Sequence, residues 1–441
     1  MPDDAQIQRA EIGQVPSHWE VAPLSAFVSR VTYGFTNPMP TVDDGPFMVT
    51  AKDIHDGRID YSTVRHTDWK AYRNDLTDKS RPRINDALLT KDGGSGRVAI
   101  CDRADVCINQ SVALIQPNGN INSRFLLYIL QTPHYQRRME EDSDGTTIKH
   151  IYITRVDKME VAIPPLAEQH AIVGIVGALD DKIELNRHMN ETLEAMARAL
   201  FKSWFVDFDP VRAKAEDRDP VLPKPITDLF PARFIDSELG EIPEGWSVKL
   251  LDTLARFVNG LALQKYPPSD GNSLPVIKIA QLRSRNTTGA NRASADLDSD
   301  YVVQDGDILF SWSGSLECVL WAGGSGALNQ HLFKVILDTY PRWLCYLGIH
   351  LHLEDFRHIA AGKATTMGHI QRHHLSDARL AVPPPPLMSA ASTIMEPIVE
   401  SLWRREVQSR ALAVARDALL PKLISGELRV KDAEKFVERA A

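Results

Sequence analysis

Two glycine clusters are the first places in this sequence where chemistry could be expected. Gly93–Gly96 and Gly323–Gly326 could present backbone N–H groups to a phosphate, as glycine-rich nucleotide-binding loops do. Neither cluster is followed by the Lys-Ser/Thr pair of a phosphate-binding loop. The segment Asn37–Pro40 also lacks the aromatic residue of an amino-methyltransferase motif. We therefore interpret both clusters as turns.

Histidines and carboxylates offer two further possibilities. His350 with His352, or the run Arg372–His374, could bind a metal, but no cysteine or carboxylate cluster lies nearby in the sequence. Asp86 and Asp307 recur at one position of an internal repeat, as paired catalytic carboxylates would. Each follows Asn or Gly at the start of an apolar run, so a turn role is the better interpretation. The chain is thus predicted to bind rather than to catalyse, with no cofactor of its own.

The internal repeat organises the whole sequence, and its two copies lie roughly 220 residues apart. Its matched segments keep their order while the offset shrinks in small steps, as loop insertions and deletions produce. The matches are Glu11–Trp19 with Glu238–Trp246, Asn85–Leu89 with Gly306–Phe310, Ile108–Gln110 with Leu328–Gln330, and Thr146–Ile151 with Thr365–Ile370. Fixed order with a drifting offset indicates a duplicated unit, which most naturally acts on a target with two related halves.

Bulk composition limits the class of protein. The chain has 441 residues, 43% hydrophobic and 24% charged, which is enough for two or three domains with their own cores. Its four cysteines lack CxxC spacing and predict reduced thiols. The polar start Met1–Asp4 is unlike a signal peptide, and the longest apolar run, near Ala171–Leu179, is too short to span a bilayer. We therefore expect a cytoplasmic protein without membrane contact. Its net charge of −8 restricts nucleic-acid binding to local basic patches.

Each copy divides into a turn-rich part of mixed structure and a helical part. Short apolar runs separated by Gly and Asp clusters predict strands and turns in the mixed parts, residues 1–163 and 238–382. A helix is predicted near Asn122–Gln131. Both mixed parts end at prolines, Pro164-Pro165 and Pro383–Pro386, which suit the first turn of a helix.

The helical parts, residues 164–206 and 383–426, each carry a 4-3-4-3 spacing of seam positions. The apolar seam residues are Ile172, Val176, Leu179, Ile183, Leu193 and Leu200 in the first helix, and Met395, Ile398, Leu402, Leu412 and Leu419 in the second. Both seams are polar in the middle. Matching length and phase favour pairing of two helices, each about 60 Å long, over two helices packed separately on their own domains.

Five prolines and many charges predict a linker at residues 207–237, and residues 427–441 remain as a C-terminal tail. An antiparallel helix pair requires this linker only to turn a corner, whereas a parallel pair requires it to return about 60 Å. The predicted fold is therefore α+β: two mixed domains and two long antiparallel coiled-coil helices, related by an internal pseudo-two-fold repeat.

Four segments closely resemble the DNA-specificity subunits of type I restriction–modification enzymes: Ile163–Gln169, Leu200–Pro210, Ser237–Trp246 and Arg416–Leu428. The resemblance covers almost the whole chain. It implies two tandem target-recognition domains separated by two long helices. One departure is visible at the start of the second helix, Pro383–Ser389, which lacks the Ala-Glu-Gln of the first.

The resemblance also implies partners. Double-stranded DNA would be bound at a split, asymmetric site, one half by each domain, and the helices would dock two modification (methyltransferase) subunits. Restriction subunits, which are ATP-dependent translocases and nucleases, would join that complex. S-adenosylmethionine, ATP and magnesium would then belong to the partner subunits, and this chain would be non-catalytic.

Sequence specificity requires side chains on base edges, whereas phosphate contacts only position a protein on DNA. Candidates are polar or basic residues at strand ends and loops of both copies. In the first domain they are Lys52, Ser95, Arg97, Thr147, Lys149 and His150; in the second they are Lys278, Gln281, Arg283, Trp312, Ser313, Lys363, Thr366, His369 and Arg372. Shared structural roles are predicted instead for the residues that recur unchanged, which are Trp19, Trp246, Asn109-Gln110 and Asn329-Gln330.

Two other functions stay open on sequence grounds. A self-contained DNA methyltransferase or nuclease would bind a methyl donor or cut DNA without a partner. A coiled-coil scaffold with two protein-binding domains would gain no affinity or protection from DNA.

Overall fold

The computed structural model of the chain describes residues 7–93, 96–144, 150–268, 271–362 and 368–433. The chain forms two compact units. Unit 1 comprises residues 1–181 and 412–441, and unit 2 comprises residues 182–411. Each unit contains one copy of the mixed domain together with a portion of both long helices.

Unit 1 is built mainly of short strands. Its strands are β1 (Ile7–Ala10), β2 (Gly13–Pro16), β3 (Glu20–Pro23), β4 (Val28–Tyr33), β5 (Val42–Val49), β6 (Ile54–His55), β7 (Arg58–Ile59), β8 (Arg65–His66), β9 (Ala87–Thr90), β10 (Val98–Ile100), β11 (Val106–Ile108), β12 (Val112–Pro117), β13 (Ser143–Asp144), β14 (His150–Ile151) and β15 (Glu160–Ile163). Its helices are α1 (Trp69–Asn74), α2 (Ser123–Gln131), α3 (Pro133–Glu141), α4 (Ile153–Val156) and the first part of α5 (Leu166–Phe205).

Unit 2 repeats this pattern. Its strands are β16 (Phe234–Ser237), β17 (Gly240–Pro243), β18 (Ser247–Leu250), β19 (Arg256–Asn259), β20 (Ser273–Ile277), β21 (Arg292–Ser294), β22 (Val302–Val303), β23 (Ile308–Ser311), β24 (Cys318–Leu320), β25 (Gly326–Leu328), β26 (Leu332–Ile336) and β27 (Arg379–Val382). Its helices, besides the rest of α5, are α6 (Asp209–Ala215), α7 (Lys224–Thr227), α8 (Leu251–Leu254), α9 (Ile279–Ser284), α10 (Arg342–Ala361), α11 (His373–Asp377) and most of α12 (Pro385–Ile424).

Strand pairing shows that the two domains share one topology. The four-stranded sheet β10-β9-β12-β4 of unit 1 corresponds to β24-β23-β26-β19 of unit 2, and both are antiparallel. A parallel pair, β5 with β11, corresponds to β20 with β25. In each domain the last strand pairs with the strand that follows the first hairpin, β15 with β3 and β27 with β18. The predicted α+β fold with a tandem repeat is confirmed.

The long helices pack in each unit along the predicted seam. In unit 1, Ile172, Val176 and Leu179 of α5 are buried in one core with Leu419 of α12. The seam residue Leu412 is half-buried against the same core.

In unit 2 the core contains Met395 and Leu402, while Leu193, Leu200 and Ile398 are half-buried at its edge. Ile183 is half-buried as well.

Two asparagines in unit 2 show that the helices run antiparallel. The Asn186 amide donates to Gln408 Oε1 at 3.0 Å and to Ser409 Oγ at 3.2 Å, and the Asn190 amide donates to Leu402 O at 3.0 Å. The contacted residue number therefore falls on α12 as it rises on α5. No helix in the described part of the chain combines the length and apolarity that crossing a membrane requires.

Part of the predicted linker is packed structure. Phe208 and Phe230 are buried, and their rings lie 5.5 Å from Trp246 and 5.7 Å from Trp204, respectively. The prolines and charges of residues 207–237 had concealed these aromatic residues, each of which stabilises a core contact by burial. The last four residues of the predicted linker form strand β16, which pairs with β17.

The predicted C-terminal tail also contributes to a core. Ala433 is buried in the unit 1 core, and Leu428 and Val430 pack against it. Residues 427–433 of the predicted C-terminal tail therefore belong to unit 1.

Candidate nucleic-acid interface

One arrangement of four chain segments recurs in both domains and carries several of the predicted contact residues. We call it the strand-end junction: residues 33–35, 90–92, 109–112 and 150–151 in unit 1, and residues 259–261, 311–313, 329–332 and 369–370 in unit 2. The segments meet where β4, β9 and their counterparts β19 and β23 end.

Backbone hydrogen bonds hold the junction of unit 1. Gly34 N donates to Val112 O at 3.3 Å, and Lys91 N donates to Ser111 O at 2.9 Å. Ile151 N then donates to Lys91 O at 2.9 Å, which joins the second and fourth segments.

The junction of unit 2 has the same three bonds. Gly260 N donates to Leu332 O at 3.0 Å, Trp312 N to His331 O at 3.3 Å, and Ile370 N to Trp312 O at 2.9 Å. The two junctions therefore share these three bonds, although most of their side chains differ.

A glycine is required at one position of each junction. A Cβ added to Gly34 would lie 1.8 Å from Ile108 O, and one added to Gly260 would lie 2.3 Å from Asn329 O. Since any side chain would push the backbones apart, these glycines allow the close approach of the first and third segments.

The asparagines of the recurring Asn-Gln pairs have the predicted structural role. Asn109 Oδ1 accepts from Ser111 N at 3.1 Å and from Ser111 Oγ at 2.6 Å, and Asn329 Oδ1 accepts from His331 N at 3.3 Å. Each side chain thus holds a turn within the third segment. The predicted core positions of Trp19 and Trp246 are also confirmed, since both side chains are buried.

In the unit 1 junction, four side chains contact one another in series, and two of them are charged. The Lys91 ammonium lies 5.3 Å from the centre of the Tyr33 ring and donates to Asp92 Oδ2 at 2.9 Å. Asp92 Oδ1 accepts from His150 Nδ1 at 2.5 Å. Lys91 itself is buried, whereas Tyr33 is 38% exposed and presents its ring to solvent.

Arg97 and Lys52 lie beside this series of side chains. The Arg97 guanidinium donates to Ala51 O at 2.7 Å and to His55 Nδ1 at 2.8 Å, so it supports the loop that contains Lys52. Lys52 is exposed. Arg97 therefore positions a loop, and Lys52 remains available for a partner.

Aromatic and amide groups replace the charges in the unit 2 junction. The Trp312 indole N–H donates to Asn259 Oδ1 at 2.9 Å and to Gln330 O at 3.2 Å. The Trp312 ring lies 5.7 Å from His331 and 6.4 Å from His369. The predicted Trp312 and His369 are thus brought together.

Ser313 has a different environment from the one expected of a base contact. Its side chain is buried, with Oγ 3.0 Å from His331 Nδ1. The DNA contact predicted for Ser313 stays a prediction.

The remaining predicted residues of unit 2 lie around helix α9 and α11. Lys278 caps α9 with its backbone N–H on Gln281 Oε1 at 3.3 Å, and its Nζ donates to Asn291 Oδ1 at 2.7 Å. Arg283 is exposed, 3.7 Å from Glu317. Arg372 is also exposed and donates to a backbone carbonyl of β19 at 3.4 Å.

Five predicted contact residues lie outside the described residues, and their contacts stay predictions. They are Ser95, Thr147, Lys149, Lys363 and Thr366.

Five junction residues escaped the sequence reasoning: Tyr33, Lys91, Asp92, Asn259 and His331. A signal was available, because each is adjacent or next but one to a residue that recurs in both copies, such as Gly34 or Gln330. These positions correspond in the two copies but differ in residue type.

Catalysis by paired carboxylates and metal binding by histidines were the two chemistries considered from the sequence. Asp86 Oδ2 accepts from Arg83 N at 2.8 Å, and Asp307 Oδ2 accepts from Gln304 N at 2.8 Å, so the predicted turn role is confirmed. Burial lowers the pKa of His350 to about 3, and the nearby Arg198 guanidinium acts in the same direction. Within the described ranges, no group of three or more His, Cys, Asp or Glu could hold a metal ion.

Comparison with known proteins identifies relatives of this chain. The family model of the type I restriction modification DNA specificity domain matches residues 41–195 and 243–399. The specificity subunit of the type I restriction enzyme MjaIX of Methanocaldococcus jannaschii is 25% identical, with 97% of this chain and 98% of that one covered. The corresponding HindI subunit of Haemophilus influenzae is 26% identical, with 76% and 84% covered.

A solved structure shares the fold. The crystal structure of a type I restriction-modification S subunit from M. genitalium matches with a TM-score of 0.53 at 14% sequence identity. The match covers 92% of this chain and 96% of that one. At this identity the similarity extends to the fold alone.

Proposed function

Because the chain belongs to the type I restriction–modification DNA specificity family, we propose that it reads a split, asymmetric DNA site, one half with each mixed domain. The observation that carries this proposal is the pair of strand-end junctions. Their backbones share three equivalent hydrogen bonds, and most of their side chains differ. A common backbone can hold two domains in equivalent positions on DNA, while different side chains read different bases.

We propose that the long helices dock two modification (methyltransferase) subunits. On α5 within unit 2, Leu185, Met189 and Met196 are 51%, 37% and 48% exposed. Their spacing places them on one face of the helix. An exposed apolar face of this kind suits burial against a partner protein.

The chemistry of the complex would belong to its partners. We propose that this chain is non-catalytic, and that the modification subunits supply S-adenosylmethionine and the methyl transfer. ATP-dependent restriction subunits with magnesium would complete the assembly, which would act on cellular DNA in the cytoplasm. The purified chain alone is then expected neither to methylate nor to cut DNA.

The test is co-expression of the chain with the modification subunit encoded beside it, followed by mapping of methylated adenines. A single motif with two different halves and a constant unread gap is expected. An assembled complex that leaves DNA unmethylated, or that methylates a continuous motif, would contradict the proposal.

We propose that the length of the helices sets the unread gap. Insertion of the same few residues in both helices, at positions opposite each other, should lengthen the gap and leave both half-sites unchanged. An unchanged gap would contradict this part of the proposal.

A further inference from the structure

We infer that the strand-end junctions hold the base-reading side chains, and that Asn259 of the second domain reads an adenine. This inference rests on the proposed function and goes further, because it assigns a base to a residue. It starts from positions that correspond in the two junctions by their backbone bonds. These positions are Tyr33 with Asn259, Lys91 with Trp312, Asp92 with Ser313, Ser111 with His331, and His150 with His369.

Four of these five pairs differ in residue type, and they differ together. In unit 1 the Lys91 ammonium lies against the Tyr33 ring. In unit 2 the corresponding pair is joined by a hydrogen bond from Trp312 to Asn259. In each junction the exposed residue, Tyr33 or Asn259, therefore contacts a less exposed residue, Lys91 or Trp312. When two domains share a backbone arrangement but recognise different bases, residues that contact each other are expected to differ together.

The orientation of the Asn259 amide is fixed by its partner. An indole N–H can only donate, so the atom that it meets at 2.9 Å is the amide oxygen of Asn259. The amide nitrogen then points away from Trp312. It has no hydrogen-bond partner among the described residues, and the Asn259 side chain is exposed.

This amide has the donor and acceptor pattern that matches adenine in the major groove. Asn259 Nδ2 can donate to adenine N7, and Oδ1 keeps a second lone pair that can accept from adenine N6. Trp312 also donates to Gln330 O at 3.2 Å, which holds the indole in place. Because the amide is already oriented, less conformational entropy is lost when it binds a base.

The unit 1 junction cannot present the same pattern. A phenol has one donor, and the Tyr33 ring lies within 5.5 Å of two ammonium groups, those of Lys79 and Lys91. His150, whose Nδ1 donates to Asp92, can offer only its other ring nitrogen. The first half-site is therefore expected to differ from the second at the corresponding base.

The first experiment uses the complex with the modification subunit and the variant Asn259→Asp. A carboxylate cannot donate to N7, so the preference for adenine at one position of the second half-site should fall on the order of tenfold or more. The first half-site should stay the same. Asn272→Asp is the matched control, since Asn272 is exposed and immediately precedes β20. The other end of that strand, Ile277, is the end that accepts a hydrogen bond from the junction residue Asn329.

The second experiment remains informative if Asn259→Asp abolishes methylation. Oligonucleotides carry 7-deazaadenine, which lacks N7, at each adenine of the second half-site in turn. Binding by the wild-type complex should weaken at one of these adenines, and binding by the Asn259→Asp complex should not respond there. Equal sensitivity of both complexes at every adenine, or an unchanged methylated motif for Asn259→Asp, would overturn the inference. Absence of any split motif from the wild-type complex would instead overturn the proposed function.

Discussion

The two long helices start differently, and the difference has a local cause. In unit 1 the Gln169 side chain is buried, accepts from Asn122 N at 2.8 Å, and donates to Asn120 O at 3.0 Å and to Pro164 O at 2.8 Å. In unit 2 the corresponding positions are Pro341 for Asn122 and Met388 for Gln169. Proline has no backbone N–H, so no acceptor is needed there.

These contacts give the motif at the start of the first helix a structural role. The Ala-Glu-Gln sequence of unit 1 includes a glutamine that satisfies buried backbone groups within the chain. Pro341, which immediately precedes α10, has no N–H to satisfy, so the second helix does not require this glutamine. Gln169 therefore has a role inside its own domain.

The largest expected effects come from breaking the backbone that both units share. Gly34→Ala and Gly260→Ala should each lower the free energy of unfolding by about 3 kcal/mol or more, because the new Cβ would overlap a carbonyl oxygen. Denaturant unfolding measures this directly. Similar losses would support equivalent junctions. A large loss in one variant and none in the other would show that the two junctions are not equivalent.

The next effect separates the two helix starts. Gln169→Leu leaves Asn122 N, Asn120 O and Pro164 O without their partner, at an expected cost of about 3 kcal/mol in unfolding free energy. Met388→Leu conserves volume at the corresponding position and should cost less than about 1.5 kcal/mol. Equal losses for the two variants would argue against the buried-amide explanation.

A third effect depends on pH. His350 of unit 2 corresponds to Gln131 of unit 1, which does not titrate. Burial lowers the pKa of His350 to about 3, from 6.5 in the unfolded chain. The unfolded chain therefore binds a proton below pH 6.5 that the folded chain does not. Stability should fall as the pH decreases from 6.5 towards 3, by up to about 1.4 kcal/mol per unit.

The variant His350→Gln removes this contribution. At about pH 5 it should be more stable than the wild type by up to about 2 kcal/mol relative to the difference near pH 7. His352, whose pKa is also lowered by burial, is present in both the variant and the wild type. The same pH dependence in variant and wild type would show that His350 is not responsible.

The smallest effect concerns the helix surfaces. Gly174 on α5 has open space around an added Cβ, and its counterpart on α12 is Thr393. Gly174→Ala should therefore raise the free energy of unfolding by about 1 kcal/mol, and Thr393→Ala by roughly half as much, as helix propensities predict. Thermal unfolding measures both. Loss of stability in Gly174→Ala would mean that this face of α5 is covered.

Local signals in the sequence predicted the elements well. The 4-3-4-3 spacing predicted both long helices, and the helix predicted near Asn122–Gln131 is α2, which Asn122 caps by accepting from Arg124 N at 2.9 Å. These features depend on neighbours in the sequence. The hidden aromatic core of the linker was missed because prolines and charges dominate the composition of that segment, whereas Phe208 and Phe230 find their partners in distant segments.

The junction itself could not be derived from local signals. Tyr33, Lys91 and His150 are far apart in the sequence and meet only through sheet pairing. The repeat gave indirect information, because Gly34 and Gly260 recur next to Tyr33 and Asn259. Which side chain supports which could be known only after the fold brought these segments together.

The central claim is that each domain reads its own half-site through an equivalent junction. The most direct test replaces residues 238–382 with residues 11–163, together with Met388→Gln to restore the partner of Asn122. Methylated adenines are then mapped in DNA from cells that co-express this chimera and the modification subunit. We predict a motif with two copies of the first half-site. A motif that keeps the second half-site of the parent would contradict the account.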